Sequence, residues 1–216
     1  MDVIRHIPDI DIATLDADQL PDSLCTAIMD FVLAGAARAE RGQGGQPATM
    51  LIHTSQRKDD HKALWTGVST WFHEFRDEWR YHPKQGIRNR MKIRWENEFV
   101  PATRAGFIER VRSFDEIEAF IGPFLEALSP PRVVNSDTKE VLDYERDRGL
   151  KVIAIGGNRL ARGLTLEGLL VSYFVRSSAQ YDTLMQMGRW FGFRGGYEDL
   201  TRIWTTAELA RWFADL

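Results

Sequence analysis

The sequence predicts an α/β fold built on a mostly parallel sheet, and three observations carry that prediction. Short apolar runs of strand type recur at residues 48–54 (ATMLIHT), 151–155 (KVIAI) and 169–175 (LLVSYFV). Between them lie segments whose apolar residues recur at helical spacing. The two kinds of segment alternate, which is the pattern of a parallel sheet with helical connections. In such sheets ligands bind beyond the carboxyl ends of the strands. Polar residues just after a strand are therefore the first candidates for a site.

Residues 1–20 read as an extended lead-in, with Pro8 and scattered aspartates. A first helix runs from Pro21 to Glu40, with Leu24, Ala27, Ile28, Phe31 and Val32 on one face. Pro21 suits its start and Gly42 its stop, and Gly35 continues the apolar face as a mark of close packing. GQGGQP (42–47) is a turn-rich loop. The strand at 48–54 ends in His53 and Thr54, with Ser55 next. Residues 58–81 form a second helix, with Leu64, Trp65, Val68, Phe72, Phe75 and Trp79 on one side.

IRNRMKIRW (87–95) fits two readings. As a strand it puts Arg88, Arg90, Lys92 and Arg94 on one face; as a helix it spreads them around. Ser113 and Glu116 form a capping box that opens a helix to Leu128, and Pro130 and Pro131 stop it. RVVNS (132–136) reads as a strand and the polar stretch Asp137 to Asp147 as a helix. Beyond the strands at 151–155 and 169–175 come a helix at 180–190 and a last strand, TRIWT (201–205). Thr205 and Glu208 cap the helix that follows.

At 216 residues the chain fits one ordinary domain. Its 44% hydrophobic and 27% charged residues are those of a soluble globular protein. No apolar run approaches the roughly 20 residues of a membrane span. The acidic start, MDVIRHIPDIDI, lacks an apolar signal core, which argues against secretion and for the cytoplasm. A single cysteine, Cys25, excludes an internal disulfide and a cysteine-cluster zinc site. It stands beside the apolar face of the first helix, so an unreactive, partly buried thiol is expected. A net charge of -3 gives no global attraction to nucleic acid, and binding would have to come from local patches. The seven tryptophans and twelve phenylalanines suit a core or an interface with a neighbouring domain.

The chemistry concentrates between Lys151 and Arg202. Gly156 and Gly157 follow a strand directly, where glycine permits close backbone approach and bare amides can hold an anion. Arg162–Gly163, followed by Thr165, can present a side chain or backbone to a phosphate chain. The helix at 180–190 carries Gln186, Gly188 and Arg189, with Arg194 just beyond. A helix end rich in Gly and Arg can reach a γ-phosphate across a cleft, the arginine-finger role. Yet no G-x-x-x-x-G-K-[ST] phosphate loop occurs anywhere. Arginines without their phosphate cradle suggest half of a nucleotide site.

These residues resemble something known. The order strand, GGNRLARGLTLEGL, strand, helix with QMGRW and a later arginine resembles motifs V and VI of the superfamily-2 helicases. Those motifs lie in the second of two RecA-like domains, and MLIHTS takes the place of motif IV. More closely, SLCTAIMDFVLAGAARAERG, MLIHTS, GGNRLARGLTLEGL, SYFVRSS and YDTLMQMGRWFGFRGGYEDL resemble the Z-one domain family. That family occurs in bacterial proteins described as candidate endonucleases, next to a helicase-type ATPase domain. The resemblance covers residues 20–216 or so.

The resemblance implies a three-layer RecA-like (P-loop-NTPase-like) domain with a helical insertion in the region 83–130. Arg189 matches the first finger of the helicase Gly-Arg pair. Arg194 is the candidate second finger, although helicases space the two closer and Gly192 stands at the expected place. Gln186 belongs to the same helix. Gly163 matches the motif V glycine beside the nucleotide, with Arg162 next to it. Thr165 stands where many helicases have an aspartate on the ribose. Ser55, Gly156, Gly157 and Asn158 fall where helicases hold the nucleic-acid backbone, and neutral groups there would be sequence-blind. ATP and Mg2+ are expected at the interface with a first RecA-like domain, in the same or a partner polypeptide, and not on this chain alone. The nucleic acid expected is DNA.

Two other readings stay open. A metal-dependent DNA endonuclease of a restriction or defence system needs clustered carboxylates. The one compact candidate is Asp59, Asp60, His61 and Lys62, at a helix start where the dipole favours Asp anyway. His6, His53, His73 and His82 show no metal-ligand spacing. A non-catalytic module would use Arg88, Arg90, Lys92 and Arg94 against nucleic acid.

Overall fold

The computed structural model describes residues 3–13, 20–54, 58–82, 86–106, 110–134, 142–156, 166–175 and 195–214, the side chains of 58–61 and 212–214 excepted. Among these residues six strands form one sheet in which every pairing is parallel. They are β1 (Ile4–His6), β2 (Ala48–His53), β3 (Arg132–Val134), β4 (Lys151–Gly156), β5 (Leu169–Phe174) and β6 (Arg202–Thr205). Their spatial order is β1-β6-β5-β2-β4-β3, so β2 sits between β4 and β5 at the centre. Strands covered on both faces need apolar residues throughout rather than in alternation. Accordingly β2, β4 and β5 are buried at every position.

The helices are α1 (Asp9–Ala13), α2 (Asp22–Arg38), α3 (Lys58–Tyr81), α4 (Ile87–Arg94), α5 (Val100–Ala105), α6 (Phe114–Ala127) and α7 (Ala207–Ala214). A π turn, Ala39–Gln43, prolongs α2, and another, Trp95–Phe99, joins α4 to α5. One face of the sheet presents Met50, Ile52, Ile153, Ile155, Tyr173 and Trp204 to a core shared with α2, α3, α4 and α6. The other presents Leu51, Val152, Ala154 and Leu169, packed with Leu142, Leu150 and Leu166. Period-two alternation sorts the two sets on β2 and β4, and on β5 a register shift opposite Thr49 and Met50 puts Leu169 on the face away from Tyr173.

The close packing expected at Gly35 is present. A Cβ there would lie 2.1 Å from the Phe124 ring of α6. That ring also meets Phe31 edge-on, with centroids 5.4 Å apart. Gly168 is tighter still: its φ of +62° and the 1.9 Å approach of an added Cβ to the Pro47 carbonyl admit no side chain.

The segment 87–95 is helical. Ile87, Met91 and Trp95 are buried at a spacing of four, and that apolar stripe settles its register. Ser113 caps α6 with Glu116 as expected, its N–H donating to Oε2 at 2.8 Å.

Three expectations need correction. The helix foreseen for Asp137 to Asp147 is absent where that stretch is described: residues 142–143 are irregular and 144–146 form a turn. There the Asp143 carboxylate accepts the Arg146 N–H at 2.9 Å, the competition that makes Asp a poor helix former. The cap of α7 is Thr206, whose hydroxyl accepts the Leu209 N–H at 3.3 Å. Thr205 is instead a buried residue of β6. The lead-in is more than extended chain. It supplies β1 to the sheet edge, buries Ile7 and forms α1. The helix expected at 180–190 lies outside the described residues.

Candidate functional site

Because every strand is parallel, the carboxyl ends of β2, β4 and β5 lie side by side on one edge. Register builds a row there: His53 pairs with Phe174, Phe174 with Thr205, and Thr205 with His6. On the other side Gly156 pairs with Val134 and follows Ile155, the partner of Ile52. From this row the chain leaves β2 at Thr54, β4 at Gly156 and β5 at Val175. Thr54 and Gly156 thus stand where the sequence placed a site. Ser55, Gly157, Asn158, Arg162, Gly163, Thr165, Gln186, Arg189 and Arg194 lie outside the described residues.

His53 is buried, its ring 4.8 Å from that of Phe174 and its carbonyl accepting the Val175 N–H at 3.1 Å. On the same sheet face Ser172 and Thr205 are fully buried. Among the described residues their hydroxyls have no hydrogen-bond partner. An unmet buried donor or acceptor costs about 1–3 kcal/mol, so this part of the edge carries unused hydrogen-bonding capacity. Serine within the apolar run LLVSYF was the sequence signal for it.

The amino end of α2 also reaches this edge, but its dipole is already engaged. The Ser23 N–H donates to Asp11 Oδ2 at 2.9 Å, and Ser23 Oγ lies 2.8 Å from the Tyr173 hydroxyl. A carboxylate fills the place where a helix start would hold an anion. Burial, outweighing the Ser23 hydrogen bond, pushes the Tyr173 phenol well above its ordinary range. Burial, then Asp22, pushes the Cys25 thiol up to about 12, which makes it the unreactive, partly buried group expected.

The four cations of α4 point in different directions. Arg88 makes a two-pronged pair with Glu118, both contacts at 2.6 Å. Arg94 pairs with Asp30 at 2.7 and 2.9 Å. Arg90 and Lys92 are more exposed and meet Glu78 at 3.4 Å and Glu96 at 3.9 Å.

Sequence reasoning missed a set of buried charges. Asp30, fully buried, also accepts the Trp204 indole N–H at 3.1 Å. Asp199, equally buried, receives both terminal nitrogens of Arg41 at 2.7 Å and the Thr103 hydroxyl at 2.6 Å. Arg202 lies 4.1 Å over the Phe99 ring, and burial pushes it down to about 10. The signal was present for Asp30, a lone charge between Met29 and Phe31 on an apolar helix. Among the described residues no group of three or more His, Cys, Asp or Glu could hold a metal. Asp59 and Asp60 open α3, with side chains outside the description. No described helix is long and apolar enough to cross a membrane.

Comparison with known proteins gives one finding. The family model of the Z1 domain, the Z-one family named above, matches residues 23–216. No curated protein and no solved structure matches the chain.

Proposed function

We propose that this chain, which belongs to the Z1 domain family, works as the second RecA-like domain of a superfamily-2 helicase- or translocase-type ATPase acting on nucleic acid. One observation carries the reading. MLIHTS runs along β2, the stretch resembling motif V follows from the end of β4 and the stretch resembling motif VI comes next in the chain after β5, and these three strands are neighbours at the centre of the sheet. Scattered resemblances would have no reason to converge so.

In this reading the chain holds no ATP by itself, since it has no phosphate loop. ATP and Mg2+ are held by a first RecA-like domain. Arg189, with Arg194 and Gln186 on the same stretch, offers positive charge and hydrogen bonds to the γ-phosphate, where charge shifts in the transition state. Arg162, Gly163 and Thr165 border the nucleotide. Ser55, Gly156, Gly157 and Asn158 offer neutral groups to the sugar–phosphate backbone of a nucleic acid, DNA in the first instance. The cleft between the domains then opens and closes with turnover, which steps the pair along the strand.

The test is ATP hydrolysis. The isolated 216-residue chain is expected to be inactive. In the assembly purified through a tag on this chain, Arg189→Ala is expected to lower kcat about a thousandfold, the lower end of an arginine finger's worth, with KM little changed. Robust hydrolysis by the isolated chain would refute the proposal.

A further inference from the structure

We propose that the cleft between β1 and the stretch Asn97 to Ala105 binds a small organic anion, a carboxylate carried on a short apolar body. The assignment is independent of the ATPase reading. A cavity of about 540 Å³ opens there, within the roughly 300–1,000 Å³ of small-molecule sites. One wall is the edge strand of the sheet, through Ile4, Arg5 and His6. The other is a helical stripe of Glu98, Pro101, Ala102 and Ala105, with Asn97 beside it. Those residues follow one another at steps of three, one and three, so they share a face. The short side chains of Ala102 and Ala105 leave the space that a Leu or Phe would fill.

Two features set the ligand's chemistry. The first is a surplus of positive charge. Glu98 stands between Arg5, at 2.5 Å, and Arg94, at 3.2 Å. Arg94 also takes Asp30, while Arg202 donates to carbonyl oxygens, that of Glu98 among them. Among the described residues three guanidinium groups, Arg5, Arg94 and Arg202, thus share two carboxylates, Glu98 and Asp30. Arg104, next to Ala105, is exposed and adds a further positive charge that no described carboxylate meets. Such a field draws an anion and repels a cation. The second feature is a divided lining. The side chains of Asn97 and His6 are exposed and engage no other described residue, and each can donate a hydrogen bond to a carboxylate. Ile4, Pro101, Ala102 and Ala105 offer carbon. Apolar walls with a few convergent polar groups are the usual make-up of a ligand site. An inorganic anion would leave the carbon wall wet, and a neutral hydrocarbon would leave the charge unmet.

The experiment titrates the isotope-labelled 216-residue chain with sodium hexanoate and follows the amide NMR signals. Saturable shifts are expected at His6, Asn97, Ala102 and Ala105, with a dissociation constant of about 1 mM, ordinary for a ligand of about eight non-hydrogen atoms. Hexanol and inorganic phosphate each carry one half of the chemistry. Both are expected to bind about tenfold more weakly, the worth of one hydrogen bond to a charged group. Ala105→Trp fills the cavity and Asn97→Asp sets a like charge in it, both at exposed positions. Each variant is expected to weaken hexanoate about tenfold, with the melting temperature unchanged. Hexanol binding as tightly as hexanoate would overturn the anion, and phosphate binding as tightly would overturn the apolar body. Absence of saturable shifts at these residues, or full affinity in both variants, would overturn the site. If Ala105→Trp fails to fold, Asn97→Asp decides alone.

Discussion

Replacing Asp30 by alanine should destabilise the fold by about 3 kcal/mol. The carboxylate has no solvent exposure and accepts three hydrogen bonds, two from Arg94 and one from Trp204. Its removal strands an indole N–H and a guanidinium whose side chain is only 18% exposed. Burial opposes the Arg94 charge, yet Asp30 and Glu98 together hold that group above its ordinary range. Breaking a buried pair by deleting one partner costs about 3–5 kcal/mol. Glu98, 3.2 Å from Arg94 Nη1, retains part of the balance and places the loss at the lower end. In a chain of this size each kcal/mol moves the melting temperature by roughly 2–4 °C, so the expected drop is about 6–12 °C. Thermal melts followed by circular dichroism at pH 7 measure it. The double variant Asp30→Leu with Arg94→Met should recover most of the loss, because it leaves no unpaired charge. A melting temperature for Asp30→Ala within about 2 °C of the parent would refute the reasoning, as would a double variant no more stable than the single one.

Three further outcomes are expected. Gly35→Ala should lower the melting temperature by a few degrees, since overpacking of about 1–3 kcal/mol exceeds the roughly 1 kcal/mol gained in helix propensity. Adding Phe124→Leu should restore it, and an unchanged or raised value in the single variant counts against the 2.1 Å contact. With its thiol pushed up to about 12, native Cys25 should resist iodoacetamide at pH 8 and react once urea unfolds the chain; fast native labelling would contradict its burial. Asp199 is held below its unfolded value of about 3.9. Its contribution to stability is therefore present above that pH and is lost as pH falls through the lower, folded value. Asp199→Asn should flatten the acid side of the stability curve, and parallel acid limbs would speak against the pairing with Arg41.

What the sequence made legible follows from period and length. α3 spans residues 58–81, the bounds read from its apolar spacing. β2, β4 and β5 were visible because strands buried on both faces are continuous apolar runs. β1 was not, because three residues among aspartates and prolines carry no period, and the neighbouring β6 makes the strand. Residues 87–95 carried two periods at once: cations every second residue and apolar residues every fourth. Burial of Ile87, Met91 and Trp95 outweighs any arrangement of exposed charge, so the helical period wins. At the site, the order of the motif-like segments was legible and their convergence on one edge was expected. The ion pairs were not, since Arg94 lies 64 residues from Asp30 and Arg41 lies 158 from Asp199.

Those long-range pairs bear on the region 83–130, which the resemblance led one to expect as a helical insertion. An added helical piece that met its host through apolar side chains could be trimmed and its scar covered. The described helices α4 and α5 meet the rest of the domain through charge as well. Arg94 neutralises Asp30 of α2, Glu98 accepts from Arg5 of β1 at 2.6 Å, the Glu98 carbonyl accepts from Arg202 of β6 at 2.9 Å, and Thr103 binds Asp199. Removing these helices would take Arg94 from Asp30, the costliest loss for a buried charge, and would cost Asp199 the Thr103 donor and Arg202 the Glu98 carbonyl. The stretch from α4 to α5 is therefore part of the fold's charge balance.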